Sequence, residues 1–142
     1  MDALIYVSSA RALPSRSMVG GVLAAAHRNN PTLQLTGMLL WREMRFAQLL
    51  EGPPDALDAM WSRLKADARH ENVRLLSRWP IERRFFGEWS MASRRLDRRQ
   101  CWELLDRAVG ESDGDYAGWI LHLMNEAHHA GRRRPEREEE IE

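Results

Sequence analysis

The chain has 142 residues, of which 44% are hydrophobic and 30% charged, and its basic and acidic side chains balance to a formal net charge of zero. This composition is typical of one globular domain, and the charge balance argues against binding to nucleic acid or a membrane surface. The single cysteine excludes an internal disulfide and a CxxC metal site. No apolar run suits a signal peptide or a membrane span, so we expect a cytoplasmic protein.

The opening segment, residues 3–8, predicts a strand that is apolar on both faces. Tyr6 lies in its middle and shares a face with Leu4 and Ser8. A buried phenol needs a hydrogen-bond partner. Taken alone, Tyr6 is best interpreted as a structural tyrosine with one such partner.

Residues 17–29 predict a helix that ends at an Asn-Asn-Pro sequence. Capping of the helix explains both Asn29 and Asn30. However, Asn29 lies on the same side of the helix as the apolar Val22, so its amide is expected to point inward. An inward amide would suit a polar ligand.

Residues 34–41 and 45–50 predict two strands joined by a short polar turn, which together form a hairpin. In the second strand Gln48 lies between Phe46 and Leu50 on one face. A buried glutamine must be paired, because an unpaired polar group costs about 1–3 kcal/mol.

Residues 54–68 predict a second helix, which begins with a proline in its first turn. Arg63 and Asp67 are four residues apart, a spacing that suits a surface ion pair worth about 0.3–0.5 kcal/mol. Alternatively, the pair lies at the rim of a groove between the two helices. The predicted buried stripe is Leu57, Met60, Trp61 and Leu64.

Two more strands are predicted at 73–81 and 88–94. Trp89, Met91 and Ser93 share one face of the second, where Trp and Met are more often core residues than ligands. The order strand, helix, strand, strand, helix, strand, strand predicts an α+β, ferredoxin-like βαββαβ sandwich with a fifth strand.

In this sandwich two helices cover one face of the sheet, and the first and third strands are expected to be parallel neighbours. Tyr6 and Gln48 would both face the helices, toward a groove bordered by Asn29, Asn30 and Arg63.

Two C-terminal helices, 97–109 and 115–130, are expected to cover the other face, although their aromatic residues would also suit a dimer or partner surface. The predicted stripes are Trp102, Leu105 and Val109, then Tyr116, Trp119, Ile120, Leu123 and Met124. The predicted organisation is a domain over 1–96, a helical pair over 97–130 and a disordered charged tail over 131–142.

The assembled segments resemble the BLUF domain, a family of flavin-binding blue-light sensors, over about residues 2–94. The resemblance rests on LIYVSS at 4–9, RNNP at 28–31, LTGMLL at 35–40, FAQLLEG at 46–52, the spaced Arg63, Asp67 and Arg69-His70, and PIERRFFGEWSM at 80–91. The main departure is Ala47, which replaces a bulky residue and should face away from Gln48.

The resemblance implies that Tyr6 is the photoactive tyrosine and that Gln48 connects it to the flavin. It also implies that Trp89 and Met91 are the pair of residues near this glutamine. The residues implied to bind the cofactor are Asn29, Asn30, Gln48, Arg63, Asp67, Arg69 and His70. FAD is the expected flavin, with FMN or riboflavin as alternatives, and no metal site is expected.

By the same resemblance, light drives proton-coupled electron transfer from Tyr6 and rearranges hydrogen bonds through Gln48. The output is an altered interaction with a separate effector protein, from a short, stand-alone sensor that is expected to be a homo-oligomer and not an enzyme. The alternatives are a flavin-free interaction module and an acylphosphatase-like enzyme that uses Arg63 and Asn30.

Overall fold

One mixed β-sheet organises the protein, in a computed structural model that describes residues 1–10, 28, 32–87 and 91–131. The strands are β1 (Asp2–Ala10), β2 (Thr36–Arg42), β3 (Arg45–Gly52), β4 (His70–Pro80) and β5 (Ala92–Arg95), and the helices are α1 (Pro54–Ala66), α2 (Arg98–Gly110) and α3 (Asp113–Gly131). The order in the sheet is β4-β1-β3-β2-β5. This order agrees with the predicted ferredoxin-like sandwich, extended by a fifth strand.

The directions of the central strands differ from the prediction. β1 is antiparallel to both of its neighbours, β3 and β4. β2 is antiparallel to β3 and parallel to β5. The expectation of parallel first and third strands is therefore wrong, because β3 returns from the hairpin in the direction opposite to both β2 and β1.

One face of the sheet packs against α1. Leu57 is fully buried in this interface, and Met60, Trp61 and Leu64 pack around it, which confirms the predicted stripe. The buried sheet residues on this face include Leu4, Tyr6, Leu39, Trp41, Phe46 and Leu50. Because side chains alternate along a strand, the residues between them face the other way.

The opposite face packs against α3, as predicted. Of its predicted stripe, Tyr116, Ile120, Leu123 and Met124 are buried, and Trp119 packs against the same cluster. The sheet contributes Ile5, Met38, Leu40, Ala47 and Leu49 to this second core. The prediction that Ala47 points away from Gln48 is confirmed, since the two residues belong to opposite faces.

The buried face of α2 is not the predicted one. Leu104 is buried, with Cys101 and Ala108 partly buried beside it. Trp102 and Val109 are 68% and 91% exposed, so the predicted apolar stripe through them is wrong. Residues three and four apart share a helix face, and this spacing turns the small Cys101 and Ala108 inward together with Leu104.

Two predicted elements fall largely outside the described residues: the helix over 17–29, of which only residue 28 is described, and the tail over 131–142, of which only residue 131 is described. The predicted domain boundaries stay a prediction. Within the described ranges, none of the helices is both long enough and apolar enough to cross a membrane.

Candidate functional site

A hydrogen bond between two central strands lies at the centre of the candidate site. Tyr6 of β1 is paired with Gln48 of β3, and the Tyr6 hydroxyl donates to Gln48 Oε1. Both side chains are buried on the face that packs against α1. The sequence prediction that this phenol and this amide share a face is therefore confirmed.

Burial also controls the protonation of Tyr6. It raises the pKa of the phenol well above the ordinary value of 10.0, and the negative charge of Asp67 raises it further. The positive charge of Arg69 acts in the opposite direction and is the smallest of the three effects. The phenol is therefore neutral at physiological pH and keeps its proton for the hydrogen bond to the amide.

The amide of Gln48 also contacts a sulfur atom. Its Nε2 donates to Met91 Sδ over 3.3 Å, so the amide connects the Tyr6 phenol with a thioether. A thioether can only accept a hydrogen bond, whereas a phenol can donate or accept. The observed orientation satisfies all three groups, whereas a half-turn of the amide would place its carbonyl oxygen against the sulfur.

Two aromatic rings of the described residues pack beside Tyr6. The ring centroid of Trp61 lies 5.7 Å from that of Tyr6, and the ring of His70 meets it edge-on at 6.2 Å. His70 Nε2 lies 2.6 Å from the carbonyl oxygen of Leu64, and Nδ1 lies 3.0 Å from Ser8 Oγ. Because a carbonyl only accepts, Nε2 carries a proton and donates it to Leu64, while Nδ1 forms a hydrogen bond with the Ser8 hydroxyl.

Asp67 pairs with Arg69, not with Arg63 as the four-residue spacing predicts. Arg69 Nη2 lies 2.7 Å from Asp67 Oδ2, and the Arg69 backbone N–H donates to Oδ1 at 2.9 Å. These hydrogen bonds hold the pKa of Asp67 below its ordinary value. The helical spacing does not apply because α1 ends at Ala66 and Asp67 has an extended backbone.

The remaining predicted residues divide into two groups. Arg63 is exposed on α1, and none of the described residues forms an ion pair or hydrogen bond with its guanidinium. Asn29, Asn30 and Trp89 lie outside the described residues. The roles implied for these residues stay predictions.

Sequence reasoning missed two neighbours of the site and one buried residue on the opposite face of the sheet. Trp61 was assigned only to the packing stripe, although that stripe faces Tyr6. Ser8 shares the face of Tyr6 by simple alternation, which could have suggested its contact with His70. The predicted strand over 45–50 stops before Glu51, which belongs to β3, is fully buried and lies on the face opposite to Tyr6.

A comparison with known families assigns the chain to one of them. A family model described as "BLUF: Sensors of blue-light using FAD" matches residues 1–92. The chain belongs to the BLUF family. The matched segment includes Tyr6, Gln48 and Met91, whereas α2 and α3 follow it in the chain.

Two curated BLUF relatives are much longer proteins. The photoactivated adenylate cyclase subunit beta of Euglena longa is 34% identical over 94 residues, which is 66% of this chain and 11% of the relative. The blue light- and temperature-regulated antirepressor BluF of Escherichia coli (strain K12) is 34% identical over 86 residues, which is 60% of this chain and 21% of the relative. The chain thus spans only a small part of either protein.

A solved BLUF structure matches the fold over most of both chains. The dark-state structure of the BLUF protein BlrB has a TM-score of 0.72 and 26% sequence identity, and the match covers 89% of this chain and 96% of BlrB. This coverage exceeds the segment matched by the family model, so it takes in part of the C-terminal helical region. The predicted ferredoxin-like α+β fold is confirmed.

Proposed function

We propose that this chain is a blue-light sensor that binds a flavin on the Tyr6 face of its sheet. The observation that carries the proposal is the hydrogen-bonded sequence from Tyr6 through Gln48 to Met91. It joins a redox-active phenol to an amide that has an acceptor, the carbonyl oxygen, and a donor, the NH2 group. Such an amide can change its hydrogen bonds without a change in the fold.

The side chains on this face suit a flavin. Gln48 offers a donor and an acceptor, and Arg63 offers a cation that pairs with none of the described residues. The residues proposed to hold the flavin are Asn29, Asn30, Gln48, Arg63, Asp67 and Arg69. FAD is the proposed form because the family description names it, and FMN and riboflavin are the alternatives.

His70 fits a supporting role better than direct contact with the cofactor. Both of its ring nitrogens already bind protein atoms, namely Ser8 Oγ and the carbonyl oxygen of Leu64. These bonds fix the ring edge-on to Tyr6. We therefore assign His70 to the orientation of the phenol.

The proposed mechanism uses the protonated state of Tyr6. A bound flavin, once excited by blue light, supplies a strong oxidant. Tyr6 gives up one electron and its hydroxyl proton, and the hydrogen bond to Gln48 Oε1 provides the path for that proton. Both return to Tyr6 afterwards, and the lasting change is the orientation of the Gln48 amide between Tyr6 and Met91.

The output in this proposal is binding to a partner, without catalytic turnover by the domain itself. The names of the relatives, an adenylate cyclase subunit and an antirepressor, support an effector that is switched by light. We propose a separate effector protein and a homo-oligomeric sensor. The exposed Trp102 and Val109 of α2 are available for either contact.

The decisive experiment is absorption spectroscopy of the full chain purified in darkness. We expect a flavin spectrum in the blue, a small red shift after blue light, and recovery in the dark. Chromatography of the released cofactor will distinguish FAD from FMN and riboflavin. A chain that takes up none of the three on reconstitution would contradict the proposal, and a pull-down in darkness and in light will test the effector.

A further inference from the structure

A buried carboxylate on the sheet face opposite to Tyr6 has no part in the mechanism proposed above. Glu51 lies at the end of β3 and is fully buried. Its Oε2 accepts from the backbone N–H of Phe85 at 2.7 Å, and its Oε1 accepts from the backbone N–H of Phe86 at 2.7 Å and from Thr36 Oγ1 at 2.9 Å. Burial of a carboxylate is costly without such partners, so Glu51 and this loop backbone depend on each other.

Arg84 ties the same loop back to the sheet. Its Nη1 donates to Thr36 Oγ1 at 2.9 Å and to the backbone carbonyl of Glu51 at 3.1 Å. Its Nη2 donates to the backbone carbonyl of Gln34 at 2.8 Å. We call Glu51, Arg84 and the N–H groups of Phe85 and Phe86 the loop clasp. It fixes residues 84–86, which follow β4, by two hydrogen bonds to the Glu51 carboxylate and three from the Arg84 guanidinium.

Residues 84–86 of the loop clasp lie close in the chain to the residue that contacts Gln48. Phe86 is fully buried and belongs to the same core as Ala92, the first residue of β5. Met91 immediately precedes Ala92 but lies on the opposite face, where its sulfur contacts Gln48 Nε2. Protein interiors are closely packed, and Met91 and Ala92 belong to the cores on opposite faces of the sheet. The position of the Met91 sulfur therefore depends on how firmly both cores hold these two residues.

We propose that Glu51 is a positioning residue. Together with Arg84, it holds residues 84–86 against the sheet so that the Met91 sulfur stays against the Gln48 amide, and it thereby controls how fast that amide returns after light. The control of the return rate rests on the proposed function, whereas the positioning of Met91 does not.

Glu51→Gln tests the clasp with little change in side-chain size. The variant replaces one carboxylate oxygen by an NH2 group, which cannot accept from a backbone N–H, so one buried donor loses its partner. Flavin binding should be unaffected because Glu51 faces away from Tyr6. The amide of Gln48 should rotate more easily against a loosely held Met91, and dark recovery should be at least about threefold faster.

The first measurement does not need a light response. The full chain, purified in darkness with methionine labelled at its 13C methyl group, gives one NMR signal for Met91, which Met91→Leu identifies. Glu51→Gln should shift or broaden this signal. The matched control is Arg74→Gln, which removes hydrogen bonds to Asp113 and the Ala108 carbonyl, away from the clasp, and should leave the signal unchanged. An unchanged Met91 signal in Glu51→Gln would overturn the proposal.

The second measurement is dark recovery after a blue flash in wild type, Glu51→Gln, Arg84→Met and the double variant. Both single variants should recover faster, and the double variant should be little faster than the faster single one, because both residues hold one loop. Arg84 is only partly buried, so Arg84→Met carries the test if Glu51→Gln does not fold. Wild-type recovery in the folded single variants, or loss of flavin from Glu51→Gln, would refute the proposed role.

The two measurements separate the possible failures. A wild-type chain that binds flavin but shows no light response contradicts the proposed function. The Met91 signal then decides on its own whether Glu51 positions Met91.

Discussion

Tyr6 and Gln48 occupy paired positions on adjacent antiparallel strands, so the phenol meets the amide directly across the backbone of the sheet. Residues held by strands are positioned more accurately than residues held by loops. The third member, Met91, lies immediately before the edge strand β5 and accepts a hydrogen bond from the amide. In this site the Tyr6 hydroxyl is held rigidly by a central strand. Met91, the second partner of the Gln48 amide, is held less firmly by the sheet.

Tyr6→Phe should retain bound flavin and lose the normal light-induced red shift. The ring and its packing against Trp61 remain, whereas the hydroxyl that donates to Gln48 is removed. The measurement is the light-minus-dark absorption spectrum. Trp61→Phe is the control, because it changes a neighbouring ring without removing a phenol, and it should keep the shift. An unchanged photocycle in Tyr6→Phe would refute the role assigned to Tyr6.

Alkaline pH should destabilise the wild type more than Tyr6→Phe. Because burial raises the pKa of Tyr6 above its ordinary 10.0, the unfolded chain releases this proton at a lower pH than the folded chain. The stabilising effect of the neutral phenol is therefore complete below about pH 10 and is lost as the pH rises above that value.

The test is denaturant unfolding of both proteins at several pH values above 10. The difference in unfolding free energy between wild type and Tyr6→Phe should change by about 1.4 kcal/mol per pH unit. Burial also raises the pKa of Tyr116, to about 12, but this residue is present in both proteins and its contribution cancels. Parallel pH dependences would show that Tyr6 titrates as it does in water.

Arg63→Ala should weaken flavin binding without destabilising the flavin-free chain. The guanidinium pairs with none of the described residues, so the fold loses little when it is removed. Loss of one charged hydrogen bond to the cofactor should weaken binding by about tenfold or more. Titration of the flavin-free protein measures the affinity, and Lys65→Ala, also exposed on α1, is the matched control. Equal flavin affinity in Arg63→Ala and Lys65→Ala would show that Arg63 does not bind the cofactor.

Leu57→Ala should destabilise the fold by about 2–5 kcal/mol, because it leaves a cavity between α1 and the sheet. Leu57 is fully buried, whereas Val109 on α2 is 91% exposed. Val109→Ala should therefore stay within about 0.5 kcal/mol of wild type. The measurement is the denaturant midpoint of each variant, compared at an unchanged slope of unfolding free energy against denaturant concentration. A small effect of Leu57→Ala would show that α1 moves to fill the cavity.

Local patterns predicted most of the elements. Alternation along β1 and β3 correctly put Tyr6 and Gln48 on one face and Ala47 on the other. The second helix was predicted to begin at 54, as observed, and the third at 97, where Asp97 caps α2 through a hydrogen bond from the Gln100 backbone N–H at 2.7 Å. These features depend on residues close in sequence, which is why the sequence reveals them.

The sequence predictions fail where the structure depends on contacts between residues that are distant in the chain. The stripe on α2 was chosen by hydrophobicity, but the helix buries Leu104, partly buries the smaller Cys101 and Ala108, and leaves Trp102 exposed. Arg63 and Asp67 have helical spacing in the sequence, yet the helix ends between them. The backbone N–H groups that bind the Glu51 carboxylate, those of Phe85 and Phe86, lie more than 30 residues away in the chain, and no local pattern identifies them.

The single cysteine of the chain lies on the partly buried face of α2. Burial raises the pKa of the Cys101 thiol, and the nearby Glu43 adds to the effect, so little of the reactive thiolate is present at neutral pH. Slow, site-specific labelling of the natural sequence should therefore place one fluorophore or spin label on α2. Spectra of that label in darkness and in light would follow this helix directly, with no other thiol to remove first.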